Sequence, residues 1–148
     1  YHSSFQEFAK EMIEEEEVYD LIISNPPFYT DEFETEYSAR NTARFTTALS
    51  FQELVYGASN LLSETGIFSV IIPYKEEKSF VSLAAENDLF LNRICRVKGT
   101  ETSQVKRSLL EFSFENKPLK EEELIIERSR HKYTEAYKEL TRDFYLKM

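Results

Sequence analysis

Apolar residues recur along this chain at two spacings. Near the start, Phe5, Phe8, Ala9, Met12 and Ile13 fall on one helical face, and Ser4 with Glu7 makes a capping-box pattern just ahead of them. Ser50 and Glu53 repeat that pattern before Leu54, Val55, Ala58, Leu61 and Leu62, a second predicted helix that should stop near Gly66. A third helix is expected over 75–87, with Phe80, Val81, Leu83 and Ala84 inward, and a fourth over 134–146, with Tyr137, Leu140 and Phe144 aligned. Strand candidates lie between and after them, at 19–24, 67–72, 89–97, 108–115 and 124–128. The first of these, Tyr19 to Ser24, holds its apolar residues in one run, as a strand does when helices cover both its faces.

The first half thus alternates helix and strand, and the end reads as consecutive strands. That order predicts an α/β sheet, parallel at first, with an antiparallel addition at one edge and flanking helices. With 148 residues, 41% of them hydrophobic, one domain can bury a sizeable core. The longest apolar stretch, Ile67 to Tyr74, is interrupted by Ser69 and Pro73 and is too short to cross a bilayer. Tyr1-His2-Ser3-Ser4 has neither the basic nor the apolar region of a signal peptide. The single Cys95 excludes an internal disulfide and a cysteine zinc site, and fits a reducing cytoplasm. His2 and His131 sit at opposite ends, which argues against a histidine metal cluster.

The net charge of −9 argues against a large nonspecific nucleic-acid footprint, but the charge is uneven. Residues 1–20 hold seven acids against Lys10 alone. Residues 75–107 hold seven bases (Lys75, Lys78, Arg93, Arg96, Lys98, Lys106, Arg107) against five acids. That window either meets phosphate or is an ordinary solvated surface.

The segment with the most chemistry is Asp20-Leu-Ile-Ile-Ser-Asn-Pro-Pro-Phe28, at the carboxyl end of the first predicted strand. Asn-Pro-Pro is ordinary turn punctuation in many chains. Its place is what changes the reading, because ligands of open α/β sheets bind beyond the carboxyl ends of the strands. Two prolines fix φ and remove two N–H donors, leaving carbonyl acceptors in a rigid frame. Asn25 adds an amide oxygen, and Phe28 a flat face on which a base can stack. Acceptors that pull on both hydrogens of an exocyclic amine return lone-pair density to its nitrogen and aim it at an electrophile. Such a site needs no general base, since most of its acceleration comes from positioning.

With these residues in view, the chain resembles class I S-adenosylmethionine-dependent methyltransferases that act on amino groups, whose motif IV reads (D/N/S)PP(Y/F). More narrowly, it is similar to bacterial enzymes that methylate N6 of an adenine in the anticodon loop of valine tRNA. That likeness also covers Ser4-Phe5-Gln6-Glu7-Phe8, Ala43-Arg44 leading into Leu49-Ser50, Leu109-Leu110-Glu111-Phe112, Tyr133-Thr134 and the closing Leu140 to Leu146. The resemblance implies that Asn25 and the Pro26 carbonyl receive the adenine amine, that Pro27 keeps the loop rigid, and that Phe28 stacks on the base. Lys106 and Arg107 are the candidates for tRNA contact, since anticodon loops are read as splayed bases plus phosphates. After Ala43-Arg44, where many relatives have His, this chain has Phe45, and no catalytic role is assigned there.

A class I methyltransferase holds its cofactor with a glycine-rich turn after the first strand and an acid at the end of the second. None of Gly57, Gly66 and Gly99 lies in such a turn. The sheet order implied by the family is 3-2-1-4-5-7-6, and only strands 4 to 7 are expected here. The chain is therefore read as the C-terminal, substrate-side portion of a partial Rossmann-like methyltransferase fold, without the cofactor half and inactive alone. The strand at 19–24 then becomes an exposed edge, and the chain is expected to self-associate through that edge or the adjoining apolar face. Guanine-N2 methylation of ribosomal RNA, glutamine methylation of release factors, and a noncatalytic RNA- or protein-binding adaptor remain as alternatives.

Overall fold

In the computed structural model of the chain, residues 2–27 and 49–144 are described. Both Ser-x-x-Glu patterns close as N-caps. Glu7 N–H donates to Ser4 Oγ at 3.3 Å while the Glu7 carboxylate accepts from the Ser4 N–H at 3.1 Å, starting helix α1 (Phe5–Glu14). Ser50 and Glu53 make the same reciprocal pair at 3.2 and 2.8 Å, starting α2 (Phe51–Leu61). Each cap satisfies backbone donors that have no partner inside the helix and contributes about 1 kcal/mol.

Strand β1 (Tyr19–Ser24) follows α1, and α2 turns directly into β2 (Leu62–Pro73). The helix ends at Leu61, five residues before Gly66, because Leu62 is already extended at φ −81° and ψ 133°. Gly66 has a different task. β2 bulges against β1, with Tyr19 opposite Leu62 but Leu21 opposite Ile67. A Cβ on Gly66 would lie 2.8 Å from the Leu62 side chain and 3.0 Å from the Tyr19 carbonyl oxygen. Gly57, inside α2, likewise clears room for the ring of Phe5, which a Cβ would meet at 2.7 Å.

After β2 comes a 3₁₀ turn (Tyr74–Glu76), then α3 (Glu77–Ala85), so the helix expected from residue 75 starts two residues later. The remaining elements are β3 (Phe90–Thr100), β4 (Val105–Ser113), β5 (Lys120–Ser129), the short β6 (Lys132–Tyr133), which the sequence pattern did not suggest, and α4 (Glu135–Thr141). The sheet order is β1-β2-β4-β3-β5-β6. β1 and β2 are parallel, β3 and β5 are parallel, and β4 runs antiparallel to both β2 and β3. The antiparallel strand is therefore not an edge addition, since the β3–β4 hairpin inserts it in the interior. The first four strands follow the order 4-5-7-6 that the resemblance implied.

Helices α1, α2 and α3 all cover one face. Phe68, Phe80 and Phe112 are fully buried beneath them, with centroids 5.9–6.4 Å apart, and Phe51 meets Phe80 edge-on at 5.0 Å. Leu54, Val55, Ala58, Val70, Ile72, Ile94 and Leu110 complete this core. The opposite face differs sharply. Leu21 and Ile23 are 56% and 73% exposed, and Ile67 and Leu109 are also open to solvent. The register makes these one patch, with Leu21 opposite Ile67 and Ile71 opposite Leu109. So β1, read as a strand covered on both faces, is covered on only one by the described residues, and it stands at the edge of the sheet. No helix among the described residues is long and apolar enough to cross a membrane.

Candidate functional site

Because β1 and β2 are parallel and β4 opposes them, the carboxyl ends of β1 and β2 and the start of β4 meet at one end of the sheet. Ser24, the last residue of β1, lies opposite Val70. Asn25, Pro26 and Pro27 leave the strand from there, with Pro26 buried and Asn25 and Pro27 exposed. All described peptide bonds are trans. The Asn25 amide makes no hydrogen bond among the described residues. Phe28, Ala43-Arg44, Phe45 and the last residues of the tail lie outside the described residues.

Lys106 and Arg107 are exposed at the start of β4, and Arg107 pairs with Pro73 at the end of β2. The structure thus brings both to the same end of the sheet as Asn25. The rest of the basic window is more committed. Arg93 bonds Glu122, Arg96 bonds both Glu77 and Glu121 at 2.8 Å, and Lys98 bonds Glu123 at 2.8 Å. β5 runs beside β3 and sets Glu121, Glu122 and Glu123 opposite Ile94, Cys95 and Arg96, where the carboxylates meet these bases. Exposed pairs of this kind contribute about 0–1 kcal/mol each, but they take charge away from any phosphate.

Glu77, the first residue of α3, is the centre of the most buried polar cluster. Its carboxylate accepts from Arg96 Nη2 at 2.8 Å, from Arg96 Nε at 3.1 Å and from Ser108 Oγ at 2.6 Å. Burial works against its charge, but the hydrogen bonds from Arg96 and Ser108 outweigh that and hold the carboxyl below its ordinary range. In return, the hydrogen bond to Glu77 pushes the Arg96 guanidinium further up. This grip ties the end of β2 and the start of α3 to β3 and β4. Sequence reasoning missed it, because residues 77, 96 and 108 show no spacing that links them.

Two other chemistries find no support. Burial, with the nearby Glu122, raises the Cys95 thiol, the reverse of what a cysteine nucleophile needs. No group of His, Cys, Asp or Glu among the described residues has a metal-binding arrangement. The described residues also do not fit the cofactor implied by the resemblance. Gly57 lies in α2, Gly66 in β2 and Gly99 in β3, none at positive φ, so none forms a turn that could cradle it.

No family model matches the chain. The whole chain is 51% identical over 148 residues to the tRNA1(Val) (adenine(37)-N6)-methyltransferase of Christiangramia forsetii, of which it covers 61%. It spans about three-fifths of the length of the curated relatives it matches first. Among solved structures, it superposes on a predicted O-methyltransferase from Agrobacterium tumefaciens with TM-score 0.61 at 17% identity, covering 86% of this chain and 52% of that one. The M1.HpyAVI–SAM complex matches with TM-score 0.54 at 14% identity, covering 84% of this chain and 67% of that one. Along its whole length, then, the chain is similar in sequence to part of the tRNA1(Val) (adenine(37)-N6)-methyltransferases, and it shares its α/β fold with part of solved methyltransferase structures.

Proposed function

We propose that this chain is the C-terminal, substrate-side part of a methyltransferase that modifies N6 of an adenine in the anticodon loop of tRNA. The observation that carries the reading is the Asn25-Pro26-Pro27 segment leaving the carboxyl end of β1, with Asn25 exposed and its amide making no hydrogen bond among the described residues. In this reading the Asn25 side-chain oxygen and the Pro26 carbonyl accept the two amine hydrogens, and Phe28 lies against the base. S-adenosylmethionine, held by the part of the parent that this chain does not span, supplies the methyl group. The work of the present residues is to bind and orient the amine, and a cytoplasmic location follows from the tRNA substrate. Methyl transfer by the full-length parent to unmodified tRNA, ribosomal RNA and release factor separates this reading from its alternatives, and transfer only to the latter two would overturn it.

The open face supports the same division of labour. Leu21, Ile23, Ile67 and Leu109 form an apolar patch on a sheet whose other face packs against α1, α2 and α3, and the relatives are longer by about two-fifths of their length. We assign the cover of that face, and of the β1 edge, to the remainder of the parent. Alone, the chain has an edge strand without Pro or Lys, a template for pairing with a second copy. Light scattering of the isolated chain is therefore expected to give a dimer or larger species, and calorimetry no heat with S-adenosylmethionine. A clean monomer, or micromolar cofactor binding, would overturn this assignment.

Reversing Lys106 and Arg107 to Glu in the full-length parent should weaken tRNA binding and flatten its salt dependence. Each lost phosphate contact lowers the slope of log K against log[salt] by about 0.7–0.9. A slope equal to that of the wild type would return both residues to ordinary surface.

A further inference from the structure

The end of β2 carries an aromatic residue that the amine site does not use. Tyr74 follows Pro73 directly and opens the 3₁₀ turn, and 45% of its surface is exposed. Val70 is level with Ser24, so Tyr74 stands four residues beyond that level where Asn25 stands one beyond it. In extended chain the difference is on the order of 10 Å. Lys75, next in the turn, is exposed and makes no ion pair among the described residues. Lys106, also without an ion pair among the described residues, is the second residue of the strand against which the turn packs.

The turn is held at both ends. Behind it, Pro73 is buried and in register with Arg107. Ahead of it, Glu77 is gripped by Arg96 and Ser108. The ring and the ammonium groups therefore project from a fixed backbone, which lowers the ordering cost of anything that docks on them. A flat ring flanked by cations is the combination by which proteins hold unpaired nucleotides, with the ring under the base and the cations on the phosphates.

We infer that Tyr74 is the stacking platform for a second nucleotide of the RNA, one flanking the target adenine, with Lys75 and Lys106 on the adjoining phosphates. This subsite rests on the RNA substrate proposed above and deepens it. The site would hold two bases of a splayed loop, one at the Asn-Pro-Pro end of β1 and one at the end of β2. Stacking tolerates any base, so Tyr74 would add affinity and register without selecting a sequence.

The test uses the full-length parent and the anticodon stem–loop of valine tRNA, with 2-aminopurine beside the target adenine as a fluorescent reporter of stacking. Wild-type protein should quench the probe. Tyr74→Ala should lose most of the quenching and raise KM for the RNA roughly ten-fold, with kcat within about two-fold, because the ring acts in binding and not on the reacting amine. Tyr74→Phe should keep both properties, and Tyr74→Leu serves as a second ring-less variant if the alanine protein does not fold. Quenching and KM at wild-type values in the ring-less variants would overturn the proposal, as would Tyr74→Phe falling as far as they do. Wild-type protein that quenches the probe yet methylates no adenine would fail the functional reading while leaving the stacking subsite standing.

Discussion

In the full-length parent, Asn25→Ala is expected to lower kcat by about 10²–10³, the usual effect of removing one preorganised polar group from a transition-state site. An exocyclic amine is a poor nucleophile because its lone pair is spread into the ring. The acceptors at Asn25 and Pro26 would make it a better one by drawing on its two hydrogens, and the prolines fix where those acceptors stand. Removing the amide leaves one hydrogen without a partner and allows the amine to rotate back into conjugation. Affinity for S-adenosylmethionine should hardly change, since in the proposed reading the amide is turned to the substrate. Asn25→Asp keeps an oxygen acceptor, and the motif admits it, so it should retain more turnover than the alanine variant. Steady-state kinetics on unmodified tRNA decides this, and full turnover by Asn25→Ala would remove the amine-holding role.

Phe80→Ala should destabilise the fold by about 3–5 kcal/mol. Phe80 is fully buried, and its ring meets Phe51, Phe68 and Phe112 at centroid distances of 5.0, 6.4 and 5.9 Å. Those partners belong to the first turn of α2, to β2 and to β4, so the cavity cannot close without moving several elements at once. A domain's whole stability is roughly 5–15 kcal/mol, and a loss of this size removes a large share of it. Leu140→Ala provides the contrast, because Leu140 is 59% exposed and its change should stay within about 0.5 kcal/mol. Urea unfolding of the full-length parent followed by circular dichroism measures both. A Phe80→Ala loss below that of Leu140→Ala would mean that this aromatic cluster does not organise the core.

Capping boxes, helix faces and the first strand are legible in the sequence because each depends on neighbours a few residues away. Ser4 and Glu7, or Ser50 and Glu53, need only one turn of helix to find each other. The Asn-Pro-Pro segment is legible for the same reason, since proline stiffness and an amide at the end of an apolar run are local properties. The resemblance added the sheet order, which periodicity alone had placed differently by leaving the antiparallel strand at an edge.

What only the tertiary structure decided is which distant groups meet. A basic window looks available to phosphate when read along the chain, yet β5 sets Glu121, Glu122 and Glu123 beside Arg93, Arg96 and Lys98 and neutralises much of it. Gly66 reads as a helix stop and is a point where two strands press together. Tyr74 reads as the last residue of an apolar run and stands exposed just beyond the carboxyl end of β2. The aligned Leu140 and Phe144 of the tail, and Leu21 and Ile23 of β1, are apolar by pattern and remain exposed among the described residues. Periodicity reports that a face is apolar, but burial also needs a second surface, and where that surface lies is set by the rest of the fold.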